Sequence, residues 1–320
     1  MGRRLTLILL VLAAAVCAEP QPASAEWVWS PQTGWIGPTG AVKDTPEEQL
    51  THAVSFFERK EFDRARKEFQ KLLRAYKESR EAAEAQYFLG RCREEEGDYY
   101  KAFLEYRKTI QTYPSSKRFD EVLEREYQTG NHFLAGKRRQ LFGIAAILPA
   151  RDKAVEIFEA IVEDGPFSEY GELAQYKLGL AHLVLGDYEA AVTAFEQVRS
   201  RYPQSPLVDD AHFQIAQASL KGTFKPGYDQ APTDLAIREL SSFLKTYSES
   251  DLADEAATRL EELKERRAQH EYDVAQFYEQ RRHPASARVY YETLVSRFPK
   301  STLGSRAAER LQVLQSPVQK

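Results

Sequence analysis

The sequence predicts an all-α fold, a helical-repeat superhelix of about six stacked helix pairs, and three observations predict it. From residue 46 onward an Ala is followed four residues later by a large apolar or aromatic residue, and fourteen residues later by a Ser. Six sets share this spacing: Ala65/Phe69/Ser79, Ala102/Tyr106/Ser116, Ala154/Phe158/Ser168, Ala191/Phe195/Ser205, Ala236/Leu240/Ser250 and Ala287/Tyr291/Ser301. Helix stop and start signals alternate with the same rhythm, because Pro114, Pro166, Pro203 and Pro299 each stand two residues before the Ser. The composition, finally, is 42% hydrophobic with 17 Phe and 17 Tyr, enough to bury a large core and unlike that of a disordered chain.

The same arithmetic excludes other classes. With 44 Lys and Arg against 48 Asp and Glu, the net charge of −4 offers no basic surface for nucleic acid. Two Cys rule out a disulfide framework and a four-Cys metal site. A length of 320 residues suggests two globular domains at about 100–200 residues each, but the repeats replace that reading with one solenoid of roughly thirteen helices.

The first element is an address. Arg3 and Arg4 precede an apolar run from Leu5 to Val16 and then a small-residue segment, the order of a secretory signal peptide. The run covers 12 residues, interrupted only by Thr6, and falls short of the about 20 a spanning helix needs. Two cleavage readings stay open. Ala23-Ser24-Ala25 fits ordinary signal peptidase and makes residues 1–25 the signal peptide. Leu12 to Cys17 instead resembles a lipobox, with Val16 at a position that usually holds a small residue. That alternative removes residues 1–16 and lipidates Cys17.

Residues 26–45 form a Trp-rich extended leader. It holds Trp27, Trp29 and Trp35 among Pro and Gly and shows no helical period. Exposed indoles leave a large apolar area in water, so docking onto the first repeats or a partner is expected rather than a floppy tail.

Residues 46–320 are the repeat solenoid. In each unit the Ala lets a neighbouring helix approach while the residue four positions later, on the same face, fills the adjacent space. The Pro ends the outgoing helix, and the Ser is expected to cap the next by accepting an amide hydrogen bond worth about 1 kcal/mol. Gly97 and Gly186 stand where a helix ends in a left-handed residue, with Asp98 and Asp187 as the following caps. The first helices match as well: Ala85-Gln86-Tyr87-Phe88-Leu89-Gly90 corresponds to Ala174-Gln175-Tyr176-Lys177-Leu178-Gly179. On these residues the pattern resembles the tetratricopeptide repeat. Gln86 and Gln175 replace its usual Trp.

The Ser-to-Ser steps of 37, 52, 37, 45 and 51 locate three insertions. They lie near 136–149, near 222–232, and at 252–267, the last read as an extra helix before Glu271. Insertions in repeat arrays map to one face, often the partner face. Lys137, Arg138 and Arg139 open the first and lead into the apolar stretch Leu141 to Pro149, which either folds back onto the array or contacts a partner.

Catalysis is not expected. There is no Gly-rich phosphate loop, nucleophile elbow or His-Glu-x-x-His, and the six His are scattered without helical ligand spacing. No cofactor or metal is implied. Cys92 reads as a small buried residue, and Glu94-Glu95-Glu96 as the solvated end of a helix. Stacked first helices would instead present a peptide groove, with Leu50, Val54 and Phe57 in unit one, Tyr87 and Arg91 in unit two, and Tyr176, Leu180 and Leu183 in unit four. Its aromatic and aliphatic lining suits an apolar or C-terminal peptide unless neighbouring repeats cover these positions.

A narrower resemblance rests on Arg259-Leu260-Glu261-Glu262-Leu263-Lys264, on Glu271-Tyr272-Asp273-Val274-Ala275-Gln276-Phe277-Tyr278, and on Ala287 to Pro299. These stretches resemble the C-terminal half of the BamD-type outer-membrane-protein assembly lipoproteins, and the likeness extends over most of residues 46–315. It implies a non-catalytic scaffold on the periplasmic face of the outer membrane. The implied partners are a BamA-like barrel protein and nascent outer-membrane proteins, with membrane contact only through an N-terminal lipid. Tyr272, Tyr278, Arg288 and Tyr290 become partner-contact candidates. An Arg with which some members contact the barrel subunit is replaced here by Tyr290, so that contact is not carried over. The rival reading is a soluble periplasmic adaptor for cell-wall or division machinery, since such adaptors share the Tyr-Pro-x-Ser endings but usually lack the extra helix.

Overall fold

The computed structural model describes residues 28–30, 34–36, 42–136, 138–141, 144–221 and 230–315. The signal segment with Cys17, Trp27, Lys137 and most of the second insertion lie outside them. The chain divides into two compact units, Met1–Gly97 and Asp98–Lys320.

The first unit contains a short antiparallel hairpin, β1 (Val28–Ser30) with β2 (Gly34–Ile36), in which Trp29 is paired with Trp35. Two three-residue stretches of the leader are thus paired as strands. Helices α1 (Pro46–Glu58), α2 (Phe62–Ala75) and α3 (Arg80–Glu95) follow. Thr45 caps α1, its hydroxyl accepting the Glu48 amide at 3.2 Å.

The second unit holds α4 (Tyr99–Thr112), α5 (Phe119–Leu134), a second hairpin of β3 (Arg138–Leu141) and β4 (Ile144–Pro149), and then α6 (Asp152–Asp164), α7 (Glu169–Leu185) and α8 (Tyr188–Arg201). It continues through α9 (Val208–Lys221), α10 (Ala231–Thr246), α11 (Ala253–Gln280), α12 (Pro284–Arg297) and α13 (Thr302–Gln315). The described residues therefore hold thirteen helices in an all-α, tetratricopeptide-like repeat, and within the first insertion β3 and β4 pair antiparallel.

The third insertion corrects the expected layout. Residues 252–267 are not a separate helix; they run without a break into the Glu271 segment as the 28-residue α11. No Gly or Pro lies between Ala253 and Gln280, so nothing stops propagation. Its first half packs Ala256, Leu260 and Leu263 against Phe213, Leu240 and Phe243, while its second half packs Ala268 and Ala275 against Tyr291, Leu294 and Phe298. One helix thus serves two cores.

Each pair is built on a small residue of the first helix placed for the large residue of the second. Sixteen positions separate Ala53 from Phe69, Gly179 from Phe195 and Ala275 from Tyr291, and the second hairpin widens the same relation to Gly130 and Phe158. All are buried. A Cβ on Gly179 would stand 2.5 Å from the Phe195 ring, and one on Gly130 2.6 Å from Phe158, so these helices approach as closely as glycine permits.

The caps divide. The Ser168 hydroxyl accepts the Gly171 amide at 3.1 Å and Ser301 accepts Gly304 at 2.9 Å, as expected. Ser116, Ser205 and Ser250 instead accept the amide two residues on, closing a turn before the helix begins, and Ser79 makes no side-chain cap. Asp98 and Asp187 hold cap positions without a capping side-chain bond. Gly97 and Gly186 are left-handed, at φ 77° and 84°, and at the corresponding positions Lys60 and Arg282 adopt φ 61° without glycine's freedom.

Candidate peptide-binding groove

The first helices carry a buried polar residue four positions before the small one: Gln49, Gln86, Glu126, Gln175, His212 and Glu271. A core position normally rejects such groups unless they are hydrogen-bonded. The Gln175 amide donates to the Ala194 carbonyl at 3.1 Å, and Gln49 donates to the Glu68 carbonyl at the same distance, each one residue before the large residue of the second helix. His212 Nε2 meets Glu239 at 3.0 Å, burial pushing its pKa down, with Arg199 3.6 Å from the same carboxylate. Glu271 pairs with Arg267, which also donates to Asp234 of α10 at 3.2 Å; Asp234 in turn receives Arg297 of α12 at 3.0 Å. This polar row was not singled out from the sequence, although Gln86 and Gln175 at the place of the family's Trp were its visible signal.

The residue after each row member begins the predicted groove. Along α7, Tyr176, Leu180 and Leu183 are half-buried and lie against the core of α8 and α9, with Val184 and Leu185 exposed beside them. Tyr176 packs on Phe195 at 5.5 Å, and burial pushes its phenol up to about 12. On α1, Leu50, Val54 and Phe57 are likewise half-buried; the Phe57 ring meets Phe88 at 5.2 Å and lies under the Arg91 guanidinium at 5.5 Å.

Tyr87 corrects the prediction. It is only 1% exposed and its hydroxyl is near Arg91 at 3.4 Å, so it is a core residue that a peptide cannot reach. Arg91 is held by Glu94 and Glu95, and Glu96 by Arg66 and Arg93, so the acidic cluster is ion-paired rather than merely solvated. Cys92 is buried, which pushes its thiol up to about 12 and leaves it inert.

A second surface forms where α11, α12 and α13 meet. Tyr278 stacks on Tyr290 at 5.5 Å with ring planes 12° apart, and Phe277, 47% exposed, stands edge-on to Tyr278 beneath Arg281. Arg288 is exposed on α12 and pairs with Glu292 at 2.8 Å. Tyr272 turns away from this aromatic group, meeting Tyr291 at 5.6 Å. It lines a cleft of about 490 Å³ with Gln276, Glu279, Gln280, Tyr291 and Arg310. There Glu279 accepts the Tyr291 hydroxyl at 3.0 Å and pairs with Arg310, whose hydrogen bonds hold its carboxyl below the ordinary glutamate value. Of the four C-terminal candidates the structure therefore joins Tyr278 to Tyr290, leaves Arg288 exposed and paired with Glu292, and sets Tyr272 against Tyr291. Arg138 and Arg139 fall on β3.

Among the described residues no helix is long and apolar enough to cross a membrane, and no three His, Cys, Asp or Glu gather to hold a metal. Residues 50–117 match a tetratricopeptide-repeat model, and residues 150–317 match the YfiO model, described as outer membrane lipoprotein. The outer membrane protein assembly factor BamD of Caulobacter vibrioides is 23% identical over 127 residues, which span 40% of this chain and 42% of that relative. Among solved structures, the C-terminal part of a TPR repeat-containing protein from Cytophaga hutchinsonii covers 84% of this chain and 88% of its own at 16% identity and a TM-score of 0.35. MamA 41-end from Desulfovibrio magneticus RS-1 covers 66% and 99% at 17% identity and a TM-score of 0.33. Because the YfiO match takes in more than half of the sequence, the chain belongs to the YfiO family of outer membrane lipoproteins.

Proposed function

We propose that this protein is a non-catalytic scaffold of outer-membrane-protein assembly, held at the periplasmic face of the outer membrane by lipidated Cys17 or peripherally after cleavage at Ala25. It binds a barrel-inserting subunit of BamA type and apolar segments of unfolded outer-membrane proteins. The observation that carries the reading is the aromatic surface of Phe277, Tyr278 and Tyr290, which lies inside the YfiO-matched residues and exposes apolar area typical of partner contacts. The apolar row Tyr176, Leu180 and Leu183 supports the second activity, because half-covered side chains beside exposed Val184 and Leu185 give an extended segment somewhere to bury its own.

The test is copurification of tagged protein from native envelopes. Recovery of a BamA-like barrel protein, lost in the variant Tyr278→Asp/Tyr290→Asp with helicity intact, is the expected result. Isolation of a cell-wall or division complex in its place overturns the assignment in favour of a periplasmic adaptor.

A further inference from the structure

The polar row has one member whose chemistry does not fit its place. Glu126 of α5 is completely buried, and neither carboxyl oxygen has a hydrogen-bond partner. Where the row carries Gln175, the side chain acts as a donor, giving its N–H to the carbonyl one residue before the large residue of the second helix. Gln49 does the same. At the α5–α6 pair the large residue is Phe158, and the corresponding carbonyl belongs to Ile157. An ionised carboxylate has no hydrogen to offer it and would set negative charge against a carbonyl oxygen in a dry core. A carboxylic acid carries the required donor.

The surroundings do not rescue the anion. The cation whose charge acts on it is Arg107 of α4, and its guanidinium is already engaged by Asp164 at 3.0 Å and Glu163 at 2.6 Å, both of α6. Asp164 repels a second negative charge, and from α7 the neighbouring titratable group is Tyr170, which packs on Tyr127 beside Glu126. Burial first, and Asp164 second, drive the Glu126 carboxyl well above the ordinary glutamate value, against a smaller opposing pull from Arg107.

We propose that Glu126 stands in the row as the neutral acid, its hydroxyl donating to the Ile157 carbonyl as Gln175 donates to Ala194, so that one bound proton is a structural component of the α5–α6 pair. The proton links pH to the integrity of the pair that flanks the inserted hairpin. The folded state keeps it at pH values where the unfolded chain has released it. Stability attributable to this group is therefore fully present below the ordinary glutamate value and is lost as pH rises toward the folded-state value. Across that window the folding equilibrium changes tenfold per pH unit for each proton so linked.

The experiment compares wild-type protein with Glu126→Gln, which supplies a donor that cannot titrate. Denaturation midpoints are measured from pH 5 to pH 9, and the difference between the two proteins isolates this group from every other titration. The variant should gain steadily on the wild type as pH rises, with an equilibrium ratio growing toward tenfold per unit. Parallel profiles overturn the proposal. Infrared difference spectra at neutral pH give an independent reading. A protonated-carboxyl carbonyl band present in wild type and absent from Glu126→Gln is expected, and its absence from wild type also overturns the assignment, even where the variant folds poorly.

Discussion

Gly179→Ala adds one methyl group at the α7–α8 contact, and the sign of its effect tests whether the small-against-large pairing really sets the helix approach. Helix propensity alone favours the substitution, by about 1 kcal/mol. The packing opposes it. The new Cβ would lie 2.5 Å from Cε1, 2.7 Å from Cδ1 and 2.7 Å from Cζ of Phe195, whereas ordinary contact begins near 3.4 Å. The ring must therefore withdraw by most of an ångström. It is 0% exposed and already packed against Tyr176, Ala191 and Val198, so it has no empty space to enter. Overpacking of this kind costs about 1–3 kcal/mol, with the upper part of that range expected for three simultaneous contacts. The net result is a loss of about 1–2 kcal/mol, or several degrees in Tm for a unit of this size. Urea denaturation read by circular dichroism measures it. In a Phe195→Leu background, with the ring gone, the same methyl should be neutral to stabilising by up to about 1 kcal/mol, so the double-mutant cycle shows coupling between the two positions. A Gly179→Ala protein at or above wild-type stability would refute the reasoning.

Other outcomes follow from named contacts. Lys60→Gly and Arg282→Gly relieve left-handed backbone at φ 61° and should each raise stability by about 1 kcal/mol in thermal denaturation, whereas Gly97→Ala should lower it. Asp234→Ala withdraws the acceptor shared by Arg267 and Arg297; with Arg267 still paired to Glu271, a loss of about 2 kcal/mol is expected from chemical denaturation. Glu279 titrates below its ordinary value, so the stability it supplies is present above that value and disappears as pH falls through the depressed one. Arg310→Ala should accordingly flatten the acid limb of a Tm profile recorded between about pH 5 and pH 3.

Much of the architecture was legible because a helix pair must satisfy several constraints at fixed distances. Ala191 and Phe195 share a face, Gly186 ends one helix and Pro203 follows the next, and all recur with the same spacing. Single positions were less legible, because burial depends on neighbours that periodicity does not specify. Tyr87 and Tyr176 are equivalent in sequence, yet one is sealed and the other half-open. Ser205 and Ser301 likewise look alike, but only the second caps its helix through the third amide, while the first closes a turn. The apolar stretch Leu141 to Pro149 reads as folding back onto the array or meeting a partner, and nothing in its periodicity announces the strand pairing of Ile144–Pro149 with Arg138–Leu141. Glu126 was hidden for another reason: a Glu in a helix looks like ordinary surface until the alignment of first helices shows Gln175 and Gln49 performing a donor's work at its position.

Helix α11 sets a mechanical limit on the C-terminal part of the molecule. Solenoids flex at the joints between successive units, where a loop lets one helix pair tilt against the next. At 28 residues, about 42 Å of uninterrupted hydrogen-bonded rod, α11 replaces one such joint with a splint whose two halves are clamped into different cores. A push on the aromatic surface at Phe277 and Tyr278 is therefore delivered as a rigid tilt to Leu260 and Leu263 rather than absorbed between repeats.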